Sequence, residues 1–335
     1  MLSAEHLKRE ARALGFAACG VARAEPVGEA WAERRRRALR EGWHGEMHYL
    51  ERNLEKRLDP RRLVEGVQSI VSVALNYAPA PDAQSPYLSA YAQGRDYHDL
   101  MRSRLHALLA AIGGTGRCFC DTAPVEERYW AQQAGVGFIG RSGQLIVDSS
   151  PLTVDSSAAP AESSEKKLST VNRQPSTAPK GQTCGNQCFL GELFLKETFD
   201  AYDRPCERTC GACRACLDAC PTGALLGDGE MDARRCLSYL TIEHRGPLPK
   251  EAGRLLGGRI YGCDRCVSVC PHNRGCAPTS ESELRPSPAL LAMTPSDWRA
   301  LTPEQFDALF GQSAVRRAGY EGLRRNIDAA LPPAD

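Results

Sequence analysis

Apolar residues recur at helical spacing from the first residues of the chain. Leu2, Leu7, Ala11 and Leu14 share one face over residues 2–14, and Gly15 stops the helix. Phe16-Ala17-Ala18-Cys19-Gly20-Val21 then reads as a short buried strand. Residues 29–41 predict a charged helix containing Arg34-Arg35-Arg36-Arg37, and the glycine-punctuated stretch Gly42–Leu50 turns into another helix. Val67-Gln68-Ser69-Ile70-Val71-Ser72-Val73-Ala74-Leu75 is the strongest strand, because its β-branched run suits the centre of a sheet. Pro79 to Pro86 is a loop, and Leu100, Leu105, Leu108 and Leu109 make residues 96–112 an amphipathic helix. Asp121-Thr122-Ala123-Pro124 predicts a helix start, with Asp as cap and Pro in the first turn, where no donor is needed. Residues 125–134 continue that helix. Gly135, Gly137 and Gly140 bracket a tight connection to a strand at Gln144–Val147. This alternation predicts the α+β class, with an α/β-like mixed sheet.

From about Asp148 to Gly185 the pattern stops. Ser, Thr, Ala, Pro and Lys dominate without apolar period, so a disordered surface excursion between two sheet elements is expected. Order resumes at Cys188-Phe189-Leu190-Gly191-Glu192-Leu193-Phe194-Leu195. The expected domains are residues 1–204, holding the insertion at about 148–185, then a cysteine-rich domain at 205–275. A short helical tail at 276–335 carries Trp298, Phe306, Phe310 and Leu323.

Composition narrows the class. The chain has 335 residues, 42% hydrophobic and 25% charged, with a formal net charge of +1. That balance excludes a globally basic nucleic-acid binder but leaves room for a local basic face. No apolar run reaches membrane-span length, and the N-terminus lacks the apolar core of a signal peptide. No membrane association and a reducing, cytoplasmic setting are therefore expected. There the fifteen cysteines are metal ligands or free thiols.

The cysteines carry the clearest chemistry. Cys210, Cys213, Cys216, Cys220 and Pro221 form C-x₂-C-x₂-C-x₃-C-P, followed by Cys236 and then Cys263, Cys266, Cys270 and Pro271. Three thiolates at x₂ spacing wrap three corners of one iron–sulfur cube, and the fourth, before a Pro that turns the chain, points toward a second cube. Cys210, Cys213, Cys216 and Cys270 are thus assigned to one 4Fe–4S cluster, and Cys236, Cys263, Cys266 and Cys220 to the other. Zinc knuckles rarely place three Cys in seven residues plus a fourth before Pro, and disulfides suit small secreted domains. Cys19, Cys118, Cys120, Cys184, Cys188, Cys206 and Cys276 are left as free thiols or small core residues. Two clusters make an electron wire, which needs a terminus. No GxGxxG follows a strand, so a nicotinamide or flavin Rossmann site is unsupported.

The terminus is suggested by resemblance. Asp121-Thr122-Ala123-Pro124-Val125-Glu126-Glu127-Arg128, followed by Ala134–Arg141, resembles the central signature of epoxyqueuosine reductases. Glu55-Lys56-Arg57, Gly94–His98, Phe189–Glu192, Arg235–Thr241 and Tyr261–Cys266 match as well, so the likeness covers the chain to about residue 275 outside the insertion. The resemblance implies cobalamin, two 4Fe–4S clusters and reduction of epoxyqueuosine to queuosine at the wobble position of tRNA. It implies an external one-electron donor of flavodoxin or ferredoxin type and a monomer.

It also implies roles. Asp121 matches the family's general acid and would need a raised pKa to donate at neutral pH. From the residues alone it is an N-cap, and the two roles are compatible. Arg57 matches a cobalamin-contacting Arg, against the plain alternative of a surface ion pair. Ser89 falls where some relatives place a Cys near cobalt, and Leu145 and Leu190 match positions lining the corrin. Ser238, with Tyr239 beside Cys236, faces the corrin or the RNA and is counted with the cofactor contacts. Arg141 and Ser142 stand where the family commonly has Lys-Asn. His44, His98 and His244 are candidate lower cobalt ligands by chemistry, yet the resemblance implies cobalamin without a protein His ligand. Arg34–Arg37, Arg61-Arg62, Arg234-Arg235, Arg316-Arg317 and Arg324-Arg325 are candidate RNA contacts, with Trp298 and Tyr320 as stacking surfaces, although a charge run is more often a solvated helix face. The longer relatives carry a helical-repeat extension, of which about fifty residues would remain here. Two rival functions are a reductive dehalogenase-like enzyme acting on a small molecule, and a non-catalytic electron-transfer module.

Overall fold

The computed structural model describes residues 1–147 and 184–331. The disorder expected at about 148–185 therefore falls almost wholly outside the described residues. Within them the order is α1 (Ala4–Ala13), β1 (Ala18–Arg23), α2 (Glu29–Arg40), α3 (Leu54–Leu58), β2 (Ser69–Asn76), α4 (Tyr97–Ile112), β3 (Gly116–Phe119) and α5 (Glu127–Gln133). A small hairpin follows, β4 (Gly137–Ile139) and β5 (Leu145–Val147), and then β6 (Cys188–Leu195).

The main sheet has the order β1-β2-β6-β3, and every ladder between these strands is antiparallel. The α+β class stands, but parallel pairing is confined to isolated bridges such as Leu2 with Phe199. β2 and β6 are the inner strands, which is why their sequences are apolar on both faces. Ile70 and Ala74 point to one face, where α2 and α5 supply Trp31, Ala32, Trp130 and Ala131. Val71, Val73 and Leu75 point to the other, where α1 and α4 supply Leu7, Ala11, Met101, Leu105 and Leu108. The result is three layers, helices on each side of the sheet.

Val147 N–H donates to the Gly185 carbonyl at 2.7 Å, so the chain leaves and re-enters the described structure at one rung. After β6 come the cysteine-bearing turns with α6 (Ala215–Asp218), α7 (Leu237–Ile242), α8 (Ala252–Leu256) and α9 (Arg265–Ser268). The last elements are α10 (Pro288–Leu291), α11 (Pro295–Arg299), α12 (Pro303–Phe310) and α13 (Gly319–Ala330). Thr294 and Thr302 start α11 and α12 with reciprocal capping boxes and a Pro in the first turn. These helices form a core of their own, in which Trp298, Phe310, Leu323 and Ile327 close over Leu88, Ala92, Ile260 and Tyr261. Trp298 has no solvent exposure, so it cannot serve as a base-stacking surface. Tyr320 is tied by its hydroxyl to the Leu301 carbonyl at 3.0 Å.

Leu193 is fully buried in the inner strand β6. Leu193→Ala is expected to cost about 2–5 kcal/mol of stability through the cavity it leaves. Denaturant unfolding measures this, and an unchanged midpoint would contradict the packing described.

Candidate active site

β2 and β3 end, and β6 begins, at the same edge of the sheet, and α4 starts there too. The edge therefore collects Asp121 after β3, Tyr97 and His98 at the head of α4, and Phe189 and Leu190 at the start of β6. Phe189 stacks on Tyr97 with ring centroids 4.0 Å apart and planes 1° apart. Asp96 caps α4: its Oδ1 accepts from the His98 backbone N–H at 3.0 Å and also meets His98 Nδ1 at 2.6 Å, which fixes the imidazole.

Asp121 does not cap a helix. It has φ of 58°, the left-handed region, and α5 begins only at Glu127. The turn at 121–126 lifts the Asp121 side chain off the sheet instead. Its Oδ2 accepts from the Tyr97 hydroxyl at 2.9 Å and faces His98 Nε2 at 3.3 Å. The hydrogen bond with His98, with Tyr97 assisting, lowers the Asp121 pKa below its ordinary 3.8. Although burial opposes it, pairing with Asp121 and Asp96 raises His98 to about 9. With the cavity open, His98 is therefore the protonated partner at neutral pH and Asp121 its counter-ion; the raised Asp121 expected from burial against the corrin and substrate concerns the filled cavity. Asp121 is 63% exposed here, so pairing rather than burial sets the direction.

Asp121 opens onto a cavity of about 510 Å³. Its walls include Arg57, Tyr97, Asp121, Glu127, Ser142 and Leu190, and Gly229–Met231 and Ala233 from the cysteine-bearing segment close another side. Arg57 holds the Val125 carbonyl loosely at 3.5 Å, while its Nε is buried without a partner. His44, on the same wall, has an unpartnered buried Nδ1. Apolar wall residues such as Leu39, Met47, Leu54 and Leu190 beside the unpartnered Arg57 and His44 nitrogens fit a broad, amide-edged ring such as a corrin. Among the candidate imidazoles, His44 meets Glu51 through Nε2 at 2.6 Å, His244 meets Glu46 at 2.8 Å, and His98 is held as described.

Ser89, Leu145 and Ser238 do not line this cavity. Ser89 is 1% exposed and packs against Gly262, where a Cβ would come within 1.9 Å of its Oγ, so it supports the cysteine loop. Leu145 is a core residue of β5, because its register opposite Ile139 turns it inward. Ser238 lies in the first turn of α7, and its backbone N–H bonds to Cys236. Arg141 and Ser142 divide their work. Ser142 lines the cavity, whereas Arg141 donates its backbone N–H to Cys210 Sγ at 3.4 Å and its Nη2 to the Gly211 carbonyl at 2.9 Å. The β4–β5 turn therefore joins the cavity wall to the cysteine loop.

The cysteines fall into two neighbourhoods. Burial, and then Cys210, Cys216 and Cys213, raise the Cys270 thiol. Burial, and then Cys263 and Cys220, raise Cys236 despite the backbone N–H groups of Tyr239 and Ser238. Cys266 is pushed up to about 12 by burial, Cys236 and Cys263, and Cys216 of the first group is also near it. A single tetrahedral zinc with Zn–S of about 2.3 Å holds its sulfurs roughly 3.8 Å apart. Among the described residues, the group whose three candidate ligand atoms lie within 4.8 Å of one another is His44, His48 and Glu51, and no cysteine set is that tight. The wider spacing suits clusters.

The basic runs are braces. Arg34 meets Glu230 at 2.9 Å, Arg35 meets Glu126 at 2.7 Å, and Arg37 meets Asp228 at 3.1 Å, so α2 is pinned across the cysteine segment and the Asp121 turn. Arg317 is bidentate on Glu243, and Arg325 holds the His244, Gly246 and Leu240 carbonyls. Arg61 with Asp59, Arg234 with Asp232 and Arg324 with Asp328 are likewise paired. A phosphate would have to compete with these acceptors. Tyr97, Phe189, Glu127 and Glu192 lay inside matching sequence segments, yet nothing local marked them as site residues, since only the fold brings them together.

Two family descriptions match the chain: epoxyqueuosine reductase QueG, DUF1730, over residues 57–122, and a 4Fe-4S double cluster binding domain over residues 209–273. An epoxyqueuosine reductase of Cellulophaga algicola is 36% identical over 329 residues, covering 96% of each chain. A crystal structure of epoxyqueuosine reductase with a tRNA-Tyr epoxyqueuosine-modified stem loop has a TM-score of 0.80 at 28% identity, over 98% of this chain and 80% of that one. A Bacillus subtilis epoxyqueuosine reductase, with an aspartate-bearing catalytic loop swung out of the active site, has a TM-score of 0.78 at 28% identity, over the same shares.

The His98–Asp121 pair has a defined pH window. His98 is raised in the fold, so its contribution is complete below the unfolded value of 6.5 and is lost as pH rises through about 9. Asp121 is lowered, so its share is present above 3.8 and is lost on acidification. NMR titration should give a His98 midpoint near 9 that moves back toward 6.5 in Asp121→Asn. A midpoint indifferent to that substitution would contradict the pairing.

Proposed function

Because the chain belongs to the epoxyqueuosine reductase family, we propose that it reduces epoxyqueuosine to queuosine at the wobble position of tRNA, the last step of queuosine biosynthesis. The observation that carries this reading is Asp121, held by Tyr97 and His98 on one wall of a cavity whose other wall is the cluster-bearing segment. The reaction takes two electrons and two protons. The two C–O bonds of the epoxide break, a C=C bond forms, and the oxygen leaves as water. A one-electron donor of flavodoxin or ferredoxin type supplies the electrons singly through two 4Fe–4S clusters. Cys210, Cys213, Cys216 and Cys270 hold one, and Cys236, Cys263, Cys266 and Cys220 hold the other.

Cobalamin, when bound, supplies a low-valent cobalt able to attack the epoxide. Arg57 and Leu190, both in the cavity wall, would hold it, Leu190 by packing and Arg57 by its guanidinium. The chain's own residues manage the proton. Tyr97 aims Asp121 Oδ2, and His98 Nε2 keeps a proton beside it. Filling the cavity strips water from Asp121, which raises its proton affinity and draws that proton across to Oδ2. Asp121 then protonates the departing oxygen. In this reading residues 1–204 form the cofactor and substrate domain, 205–275 the two-cluster domain and 276–335 a helical tail. The enzyme acts as a monomer, in the cytoplasm with its tRNA.

Anaerobically purified protein should contain about eight iron and one cobalt per chain, the content of two cubanes and one corrinoid. Asp121→Ala should keep both metals while losing epoxide reduction by about 10²-fold or more, as for a positioned acid. Full activity in that variant would remove Asp121 from the chemistry. Iron without corrinoid would indicate an electron-transfer module. Turnover of an organohalide, with none of modified tRNA, would indicate a dehalogenase-like enzyme.

A further inference from the structure

On the face of the sheet beneath Asp121, one rung is both polar and fully buried. Ser72 in β2 and Glu192 in β6 are directly paired, and Phe119 is the next partner across. Both polar residues have no solvent exposure. The Ser72 hydroxyl and both Glu192 carboxyl oxygens are buried without a conventional hydrogen-bond partner. α5 lies over this face, and its first residue, Glu127, brings a second carboxyl against Glu192. Two carboxyls in contact can bond to each other only when one of them carries a proton. Glu127 also reaches outward: its Oε1 accepts the Asp121 backbone N–H, and it lines the cavity.

We propose that Glu127 and Glu192 form a proton-sharing carboxyl pair beneath Asp121, which stores the second proton that epoxide reduction consumes. The proposal rests on the reading above for its substrate. His98 and Asp121 hold one proton at the cavity wall. The pair, buried at Glu192 and half-buried at Glu127, holds another, and Glu127 releases it toward the cavity to re-protonate the site. Charge balance then closes over one turnover: two electrons arrive through the clusters, one proton leaves each store, and water carries the epoxide oxygen away. Solvent protons refill both stores.

The surroundings favour the protonated pair. Burial and then Asp121 push Glu127 up, although the Asp121 N–H, Arg128 and His98 oppose this. Burial and then Glu127 push Glu192 well up, with Asp121 adding to it. The titratable groups facing the pair are Asp121 and Cys120 from the β3–α5 turn, His98 from α4 and Arg128 from α5. Glu127 and Glu192 do not replace Asp121 as the acid at the reacting atom. They act through it, or through water in the cavity, and are positioning residues.

Infrared spectroscopy of the holoenzyme tests the pair without substrate. A carboxylic-acid C=O band should be present at neutral pH, shift in D₂O, and disappear as pH is raised into the alkaline range. Glu192→Gln and Glu127→Gln should each remove it. In single-turnover reduction, Glu192→Gln should slow the reaction about tenfold or more, at the low end for a positioned proton donor. The variant should also lose the alkaline fall in rate that belongs to the pair, leaving only that of His98. An absent band in the wild type, which needs no folded variant, would overturn the proposal. So would a Glu192→Gln enzyme with wild-type rate and pH profile. A protonated pair in an enzyme inactive on epoxyqueuosine-containing tRNA would instead sink the reading of function, leaving the stored proton intact.

Discussion

Eight consecutive antiparallel pairings between β2 and β6 decide where everything else in the sheet domain can sit. A slip of one residue would turn every side chain to the opposite face. Glu192 would leave α5 for the α4 side, and Leu193 would leave its core. Leu190 would no longer face the cavity. The register is enforced by burial on both faces, since each strand carries two apolar sets that match different helices. The site is thus a by-product of a packing decision made several residues away. Phe189 and Leu190 lie where they do because Leu193 and Leu195 are buried further along the same strand.

Against that frame the site sets carboxyl groups in contrasting surroundings. Asp121 has donors and stays charged, whereas Glu127 and Glu192 have each other and favour a shared proton. Glu126, one residue before Glu127, is spent on Trp31 and Arg35. Adjacent residues in one short turn therefore have opposite electrostatic fates. What separates them is which element each side chain meets, α2 for Glu126 and the sheet for Glu127.

Much of this was legible in the sequence, for physical reasons that differ by element. β2 was legible because an inner strand is apolar on both faces, and α4 because its stripe repeats at helical spacing. The cysteines were legible because cluster geometry dictates their spacing. Asp121 was misread as a cap: Asp before Pro is a good local helix start, but the tertiary bonds to Tyr97 and His98 hold it in a left-handed turn and delay α5 to Glu127. The arginine runs gave no sign of their partners, because Arg34 and Glu230 are 196 residues apart. The packing of Ser89 against Gly262 and the Ser238 backbone N–H beside Cys236 were not readable from the sequence, since both depend on how the cysteine loops fold. Glu192 looked like an ordinary polar residue in an alternating strand, and its isolation appears only when β2, β3 and α5 close around it.

The rung between Val147 and Gly185 has a consequence for how the molecule is held together. Whatever joins these residues closes a loop whose ends are already in register, so its length changes stability slowly, by about 0.6 kcal/mol per doubling. Covalent continuity at this point still matters, because it keeps the closure intramolecular and holds the two parts at a high effective concentration. Residues 1–147 contribute β1, β2 and β3 to the main sheet, and residues 184–331 contribute β6, which lies between β2 and β3. The second part also carries every cluster cysteine, so inserting one strand both completes the sheet and docks the electron supply. A chain cut between the two could reassemble as a split enzyme, with strand insertion as its joining reaction.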